Sequence, residues 1–485
     1  MTVLTQNASR AVAWSTLEVL MRQGIQFLVL VVLARLLTPS DFGMISMIAL
    51  FVGLANIFVD SGFSSALVQR RSHTYEDEST VFWFNVGAAT AAAALLILAA
   101  PWISDFYAKP MLRPLMILMA GNLWLGSLIV VHTALLTKRL EFRTLTRVSF
   151  ASSAAGGAAA IGLAVYGWGV WALAMQFVTT TIVRIVLLWR MHPWRPAWLF
   201  SVDSFHGMFK FGGFMLISGV LDTLATRIYT LLIGKFYSAA DLGYYDRATA
   251  LKDIPQNAIA NVFSRVAFPV FSSHSNDVPK LRHCVRSSVI VVMALNLPLM
   301  FGLLATADNI VPLLLGSRWS STIPILKVLC VVGMLYPLQI INLEALKAQG
   351  RSDVFFRLEL IKKGILLCII IVCSQLSVLA IAWGFALNSV GGFFINARYT
   401  KKFLEYPSSQ QLRDVSPYFA ASFLMAFIVM GLGHWTGELP LLPRIGMQVI
   451  VGGVIYCASA YVLKFEGYFL IRDMFAKAKI DANAG

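Results

Sequence analysis

Residues 34–43 of the chain read ARLLTPSDFG, and residues 234–243 read GKFYSAADLG. Both follow one pattern of a small residue, a basic residue, two apolar residues, Ser or Thr, two variable positions, Asp, an apolar residue and Gly. Each stretch separates two long apolar segments, which predicts a tight hairpin whose Asp caps the next helix. The same offset of 200 residues superposes polar residues in the flanking segments: Glu18, Arg22 and Gln26 fall on Ser218, Asp222 and Thr226. The chain is therefore predicted to contain two copies of one helical unit.

The composition of the 485 residues assigns the chain to a broad class. Hydrophobic residues make up 58%, charged residues only 13%, and the mean hydropathy is +0.73. Soluble domains carry roughly 25% charged residues, so a soluble enzyme, a disordered chain and a secreted disulfide scaffold are excluded. The five cysteines lie in or beside apolar stretches and form no disulfide or zinc pattern. The composition predicts an all-α polytopic membrane protein.

Apolar windows long enough to span a bilayer recur along the whole chain, since a spanning helix needs about 20 residues. Fourteen lie near 12–37, 42–69, 79–102, 114–137, 147–165, 169–189, 208–236, 242–272, 287–307, 322–348, 354–375, 378–399, 416–433 and 443–464. The repeat divides them into an N-terminal lobe of six helices at 1–205 and a C-terminal lobe of six at 206–405. Residues 406–485 add two helices and a tail. We expect the first window to remain as a spanning helix rather than to be cleaved as a signal peptide.

The distribution of the 39 Lys and Arg residues predicts the orientation in the membrane. With the N-terminus inside, the inner segments hold 24 of them, the outer segments 6, and the spans 9. Short cytoplasmic loops carry such an excess in membrane proteins, so both termini are predicted to be cytoplasmic. The net charge of +15 is then explained by orientation and does not indicate nucleic-acid binding.

Ionisable and polar residues within the predicted spans are the candidates for a functional site, because charge inside a bilayer is costly and faces a cavity or a partner. The predicted substrate-binding residues are Arg22, Gln26, Arg227, Lys252 and Asn257; the predicted ion-coupling or charge-pairing residues are Glu18, Asp60, Asp222 and Asp253.

Two interpretations of these residues stay open. Glu18 could pair with Arg22, and Asp253 with Lys252, in which case the charges are structural. A guanidinium group can instead hold a phosphate through two parallel hydrogen bonds, and this favours a ligand role for Arg22 and Arg227. The eleventh helix has Glu359, Lys362 and Lys363 about two turns from its cytoplasmic start. Extension of these side chains to the inner headgroups, as long basic side chains near a helix end show, is favoured over substrate contact.

Catalytic motifs are absent from the sequence. It has neither a phosphate-binding loop of the Gly-x-x-x-x-Gly-Lys type nor a His-Glu-x-x-His zinc motif. The acidic run at 76–78 is interpreted as a solvated loop or a helix cap. No loop is long enough for a catalytic domain. We therefore predict no catalytic residue, no metal ligand, no cofactor and no enzymatic activity.

Several stretches resemble those of bacterial polysaccharide flippases. Besides residues 34–43, these are DSGFSSALVQR at 60–70, FWFN at 82–85, LGSRWSSTIPIL at 315–326 and AQGRSD at 348–353. The chain is most similar to the colanic acid exporter branch of the polysaccharide transporter family. That family belongs to the multidrug/oligosaccharidyl-lipid/polysaccharide exporter superfamily. The resemblance covers nearly the whole chain, but it transfers no site residues.

The resemblance implies two six-helix lobes around a central cavity, two added helices, and a location in the bacterial inner membrane. It implies alternating-access export of undecaprenyl-pyrophosphate-linked oligosaccharide repeat units for exopolysaccharide or lipopolysaccharide synthesis. Expected partners are this substrate, membrane lipids, a polysaccharide polymerase and a chain-length regulator. One alternative is a drug or cation antiporter of the same superfamily, which would need an acidic cavity and usually has twelve helices. The other is a membrane polysaccharide polymerase, which would need a large outer loop.

Overall fold

The computed structural model describes residues 21–60, 63, 67, 74–275, 277–467 and 469. Within them the chain is helical and contains no β-strand. The helices are α1 (21–36), α2 (Pro39–Asp60), α3 (Tyr75–Phe106), α4 (Leu112–Ser127), α5 (Val130–Lys138), α6 (Phe142–Val165), α7 (Val170–Met191), α8 (Val202–Phe236), α9 (Ala239–Ser273), α10 (Val278–Leu314), α11 (Thr322–Ala348), α12 (Ser352–Cys373), α13 (Val378–Leu404), α14 (Ser408–Trp435) and α15 (Leu441–Val462). A short 3-10 helix, Ser317–Trp319, precedes α11.

The helices confirm an all-α polytopic membrane protein. Every predicted window overlaps a helix, and ten helical segments of the described chain are long and apolar enough to cross a membrane. The other four windows fall on α1, α8, α9 and α12, which carry most of the predicted intramembrane charges. The fourth window differs from expectation, because its helix is interrupted at residues 128–129 and forms α4 and α5.

The chain consists of two compact units, Met1–Gly243 and Tyr244–Gly485. In the first unit α6 packs along α7, α3 along α4, and α2 along α8. In the second unit α10 is central, since α11, α14 and α15 all pack against it. The core of this unit includes the fully buried Val285, Met293 and Met300 of α10. The predicted lobe boundary at residue 205 stays a prediction.

The repeated stretches form the same helix start in both copies. Asp41 accepts a hydrogen bond from the backbone N–H of Thr38 at 2.9 Å, and the Thr38 hydroxyl accepts one from the backbone N–H of Asp41 at 3.3 Å. Ser238 and Asp241 form the equivalent bonds at 3.1 and 3.0 Å. This reciprocal pattern is a capping box. Capping by both Asp residues is thus confirmed, although each lies at the third helical position and Thr38 or Ser238 occupies the N-cap.

Loss of either capping carboxylate should destabilise the protein moderately. Asp41→Ala or Asp241→Ala removes the acceptor for one backbone N–H at a helix start, which costs about 1 kcal/mol. We expect a lower thermal unfolding midpoint in detergent and a lower protein level in the membrane, with unchanged transport selectivity. Ser40→Ala is the matched control, because this neighbouring hydroxyl contributes no cap bond in the described chain. A change in selectivity at normal protein level would contradict a purely capping role.

Candidate functional site

Five of the predicted site residues lie on described helices of the first unit: Arg22 and Gln26 on α1, Asp60 at the end of α2, and Asp222 and Arg227 on α8. Arg22 is half-buried, and the other four side chains are exposed. Within the described part of the chain, Arg227 has neither an ion-pair nor a hydrogen-bond partner. Glu18 lies outside the described residues, so its pairing with Arg22 stays a prediction.

Close contact between α2 and α8 positions Asp222. A Cβ atom added to Gly219 would lie 3.0 Å from Cγ2 of Ile57, and one added to Gly53 would lie 3.9 Å from Cγ2 of Thr223. Small residues allow membrane helices to approach closely in this way. The turn of α8 that carries Asp222 is therefore held against the middle of α2.

The neighbouring uncharged polar residues are satisfied within their own helices. The Thr226 hydroxyl donates to the carbonyl of Asp222 at 2.8 Å, and Asn56 Nδ2 donates to the carbonyl of Val52 at 3.0 Å. Such bonds back to the preceding turn are common for hydroxyl side chains in helices. They leave the ionisable groups of α1 and α8 as the polar features of these helices best suited to binding a charged ligand.

In the second unit, Lys252 of α9 is buried and forms an ion pair with Asp253, with 2.8 Å between Nζ and Oδ1. Its aliphatic chain packs on Gly333 of α11, where an added Cβ would lie 3.6 Å from Lys252 Cδ and 3.2 Å from Gln256 Oε1. This arrangement supports the structural-pairing interpretation for Lys252 and Asp253. The substrate role of Lys252 stays a prediction. Asn257 is exposed on the same helix.

Two further polar features of the second unit differ from the sequence analysis or were missed by it. Lys362 does not extend to the headgroups: it is buried and pairs with Glu359 one turn earlier, with 2.5 Å between Nζ and Oε1. The prediction for Lys362 is wrong because a carboxylate of its own helix satisfies the charge inside the bundle. Asn296 of α10, fully buried, donates to the carbonyl of Gly333 at 3.0 Å. The sequence feature that could have predicted this buried hydrogen bond is the presence of Asn296 within a long apolar window.

The two repeated hairpins contact each other reciprocally within the first unit. A Cβ atom on Gly43 would lie 1.7 Å from the carbonyl oxygen of Ala239, and one on Gly243 would lie 2.0 Å from that of Pro39. Pro39 and Ala239 are equivalent positions of the repeat, so the contact is self-complementary, as across a two-fold axis. Only glycine permits this approach of a helix backbone to a carbonyl group.

The second hairpin is also attached to the end of α3. Lys235 Nζ donates to the carbonyl of Phe106 at 2.7 Å and lies 4.6 Å from the centre of its ring. Tyr107 packs beneath the hairpin, since an added Cβ at Gly234 would lie 2.7 Å from its ring. The end of α3 therefore packs against the second hairpin and supports the contact between the two hairpins.

The fold is extensively similar to those of several solved structures. The chain superposes on the lipid II flippase MurJ in an inward closed conformation with a TM-score of 0.74 and 13% identity, covering 93% of this chain and 98% of that one. It superposes on an inward-facing multidrug resistance transporter of the MATE family with a TM-score of 0.63 and 13% identity, covering 82% and 99%. The chain has the fold that these transporters share.

Comparison of the sequence with curated proteins gives relatives that extend over most of the chain. The teichuronic acid biosynthesis protein TuaB of Bacillus subtilis is 27% identical, over 93% of this chain and 95% of its own length. The lipopolysaccharide biosynthesis protein WzxC of Escherichia coli is also 27% identical, over 79% of each chain. Residues 32–324, more than half of the chain, match the family described as polysaccharide biosynthesis protein. The chain therefore belongs to the polysaccharide biosynthesis protein family.

Proposed function

We propose that the protein is a flippase that moves undecaprenyl-pyrophosphate-linked oligosaccharide repeat units across the bacterial inner membrane by alternating access. Its family, the names of its relatives and the fold it shares with a lipid II flippase support this proposal. The polyprenyl tail can remain in the bilayer during transport. Only the pyrophosphate and the sugars need a polar path through the protein.

The observation that carries the proposal is Arg227, which is exposed in the interior of α8 and has no ion-pair or hydrogen-bond partner among the described residues, together with the half-buried Arg22 on α1. Arg227 is nine residues before the end of α8, roughly 14 Å along the helix axis. A charge at such depth is too costly to face hydrocarbon, so its surroundings are a polar path. A guanidinium at that path suits a pyrophosphate.

The remaining predicted residues have secondary roles in this proposal. Gln26 and Asn257, both exposed, are proposed to form hydrogen bonds with sugar hydroxyls, and Lys252 is proposed to contribute positive charge for the substrate. Glu18, Asp60, Asp222 and Asp253 are proposed for ion coupling or charge pairing. Membrane potential can also drive the step, because an anion leaving a negative interior gains roughly 2.3 kcal/mol per charge per 100 mV.

The cellular setting follows from the same proposal. The bias of basic residues, 24 against 6, supports cytoplasmic termini in the inner membrane. The translocated repeat units would be used by a polysaccharide polymerase and a chain-length regulator, which are proposed partners. Chemical bond formation is assigned to those proteins and not to this chain.

Translocation in vesicles tests the proposal directly. The purified protein is reconstituted with a lipid-linked oligosaccharide, and the fraction accessible to an external, membrane-impermeant glycosidase is measured over time. We expect the protein to make the oligosaccharide accessible to the external glycosidase over time. The rate should be higher when a potassium diffusion potential favours movement of the anionic substrate toward the glycosidase. A second experiment measures transport of a cationic dye by the same vesicles in the presence of a proton gradient. Dye transport without movement of the oligosaccharide would identify an antiporter and overturn the proposal.

A further inference from the structure

A cavity of about 430 Å³ lies in the second unit, where the start of α10, the first turns of α14 and the residues after α15 meet. Its charged lining consists of Arg286 from α10, Arg413 and Asp414 from α14, and Lys464 and Glu466 after α15. Three cations and two anions therefore surround it, an excess of one positive charge. It is separate from the residues assigned above to substrate binding.

Arg286 forms ion pairs with both acidic residues of this lining. Its guanidinium binds Asp414 through Nε and Nη2 at 3.1 and 3.3 Å, and Glu466 through Nη1 and Nη2 at 2.9 and 2.8 Å. The Tyr406 hydroxyl donates to Asp414 at 2.8 Å, and burial together with this bond raises the pKa of Tyr406 above its usual range. Both acids of the lining are thus held in place by a fixed network, in which Arg286 offsets one of their two negative charges.

Arg413 and Lys464 are the two other cations of the lining. Both side chains are exposed, and neither has an ion-pair or hydrogen-bond partner within the described residues. Lys464 also has a positive φ of 49°, because the chain turns directly after α15, and this turn brings its side chain to the cavity. A ligand with one negative charge would offset the positive excess of the lining.

The uncharged part of the cavity wall is largely apolar and adjoins exposed apolar side chains. It is formed by Ile290, Pro417, Tyr418, Leu463 and Phe465. The end of α15 and the residue after it expose large apolar side chains: Tyr461 is 67%, Val462 73% and Leu463 64% exposed. The spanning segment of α15 ends at Val462, so the cavity lies at the boundary of the hydrocarbon layer. The acyl chains of a lipid could therefore contact the apolar residues at the end of α15, immediately next to the cations of the cavity.

We propose that this cavity binds the phosphate headgroup of an anionic phospholipid, with Arg413 and Lys464 holding the phosphodiester and the end of α15 contacting the acyl chains. Basic pockets between helix ends on the cytoplasmic side are suited to such headgroups. The lipid would join α10, α14 and the segment after α15 at the site where the Arg286 network already links them. Its effect would be to fix the two C-terminal helices against the rest of the second unit.

Lipid-dependent thermal stability of the full-length protein tests this site. In detergent, we expect short-chain phosphatidylglycerol to raise the unfolding midpoint, and phosphatidylcholine of the same chain length to leave it unchanged. In Arg413→Gln/Lys464→Gln, the phosphatidylglycerol concentration that gives half of the rise should increase about 30-fold, since each cation near an anionic lipid contributes about fivefold in binding. The matched control is Arg398→Gln/Lys401→Gln, which removes two exposed cations outside the cavity and should behave as the wild type.

Three outcomes would overturn the proposal. An equal stabilisation by both lipids would show no headgroup recognition. An equal loss in the two double variants would show a general charge effect. A rise in the midpoint with inorganic phosphate alone, as large as that with phosphatidylglycerol, would identify a soluble anion rather than a lipid as the ligand. None of these results depends on transport, so the test is independent of the proposed flippase activity.

Discussion

Arg227→Gln and Arg22→Gln should each abolish most polysaccharide export while the protein level in the membrane stays normal. Arg227 lies roughly 14 Å before the C-terminal end of α8, and Arg22 lies roughly 21 Å before that of α1, within the predicted span 12–37. The proposed pyrophosphate contact predicts a graded series. Arg→Lys keeps the charge but loses the paired hydrogen bonds, so it should retain partial export. Arg→Glu repels the substrate and should retain none.

The lipid-linked intermediate should accumulate in the cytoplasmic leaflet as export falls, and its amount in extracted membranes is the measurement. Lys327→Gln is the matched control. Lys327 is also a cation on a spanning helix, but it pairs with Asp308 at 2.7 Å, and an exposed pair of this kind contributes little. The control should therefore export nearly as the wild type does.

The structural-pairing interpretation predicts a different outcome for Arg22. If its charge serves only to neutralise Glu18, the double reversal Glu18→Arg/Arg22→Glu should restore export. Rescue by that reversal would remove Arg22 from the substrate path. Normal export by the Arg22→Gln/Arg227→Gln double variant would remove both arginines from it.

Gly43→Ala/Gly243→Ala should separate the two repeated hairpins and strongly reduce export. Each new Cβ would lie 2.0 Å or less from a backbone carbonyl oxygen, and a backbone atom cannot move aside as a flexible side chain can. Overpacking of this kind costs about 1–3 kcal/mol per site, which is enough to shift a conformational equilibrium by one to two orders of magnitude. In the predicted orientation the hairpins lie at the outer surface of the membrane. The variant should therefore destabilise the conformation in which the transporter is closed at its outer side.

Pulsed electron-spin distance measurements can follow the hairpins, with labels at Leu36→Cys and Phe236→Cys after replacement of the five native cysteines. Both label positions are exposed and equivalent in the repeat. We expect a longer mean distance in the double glycine variant. Gly53→Ala on the same helix is the control, because its nearest neighbour, Thr223 Cγ2, would be at an ordinary 3.9 Å and Ala favours helix. An unchanged distance distribution with normal export would contradict a role for the glycine contact.

The sequence alone determined the helical framework of this protein. Fourteen apolar windows overlap helices because a bilayer offers no hydrogen-bond partners, and a spanning segment must satisfy its own backbone. The repeat at 34–43 and 234–243 predicted two equivalent helix starts, since Asp and Ser or Thr at this spacing satisfy local N–H groups. These signals depend only on residues close in sequence.

Only the tertiary structure decided which polar residues meet. It placed Lys252 against Gly333 and buried Lys362, and it brought Arg286, Asp414 and Glu466 together from three distant segments. It also gave the repeated glycines their partners, the carbonyl groups of the opposite hairpin. Helix propensity and hydropathy are local properties, whereas the packing of two helices against each other depends on residues far apart in the sequence, such as Arg286 and Glu466, which are 180 residues apart. The contacts between helices therefore had to be observed.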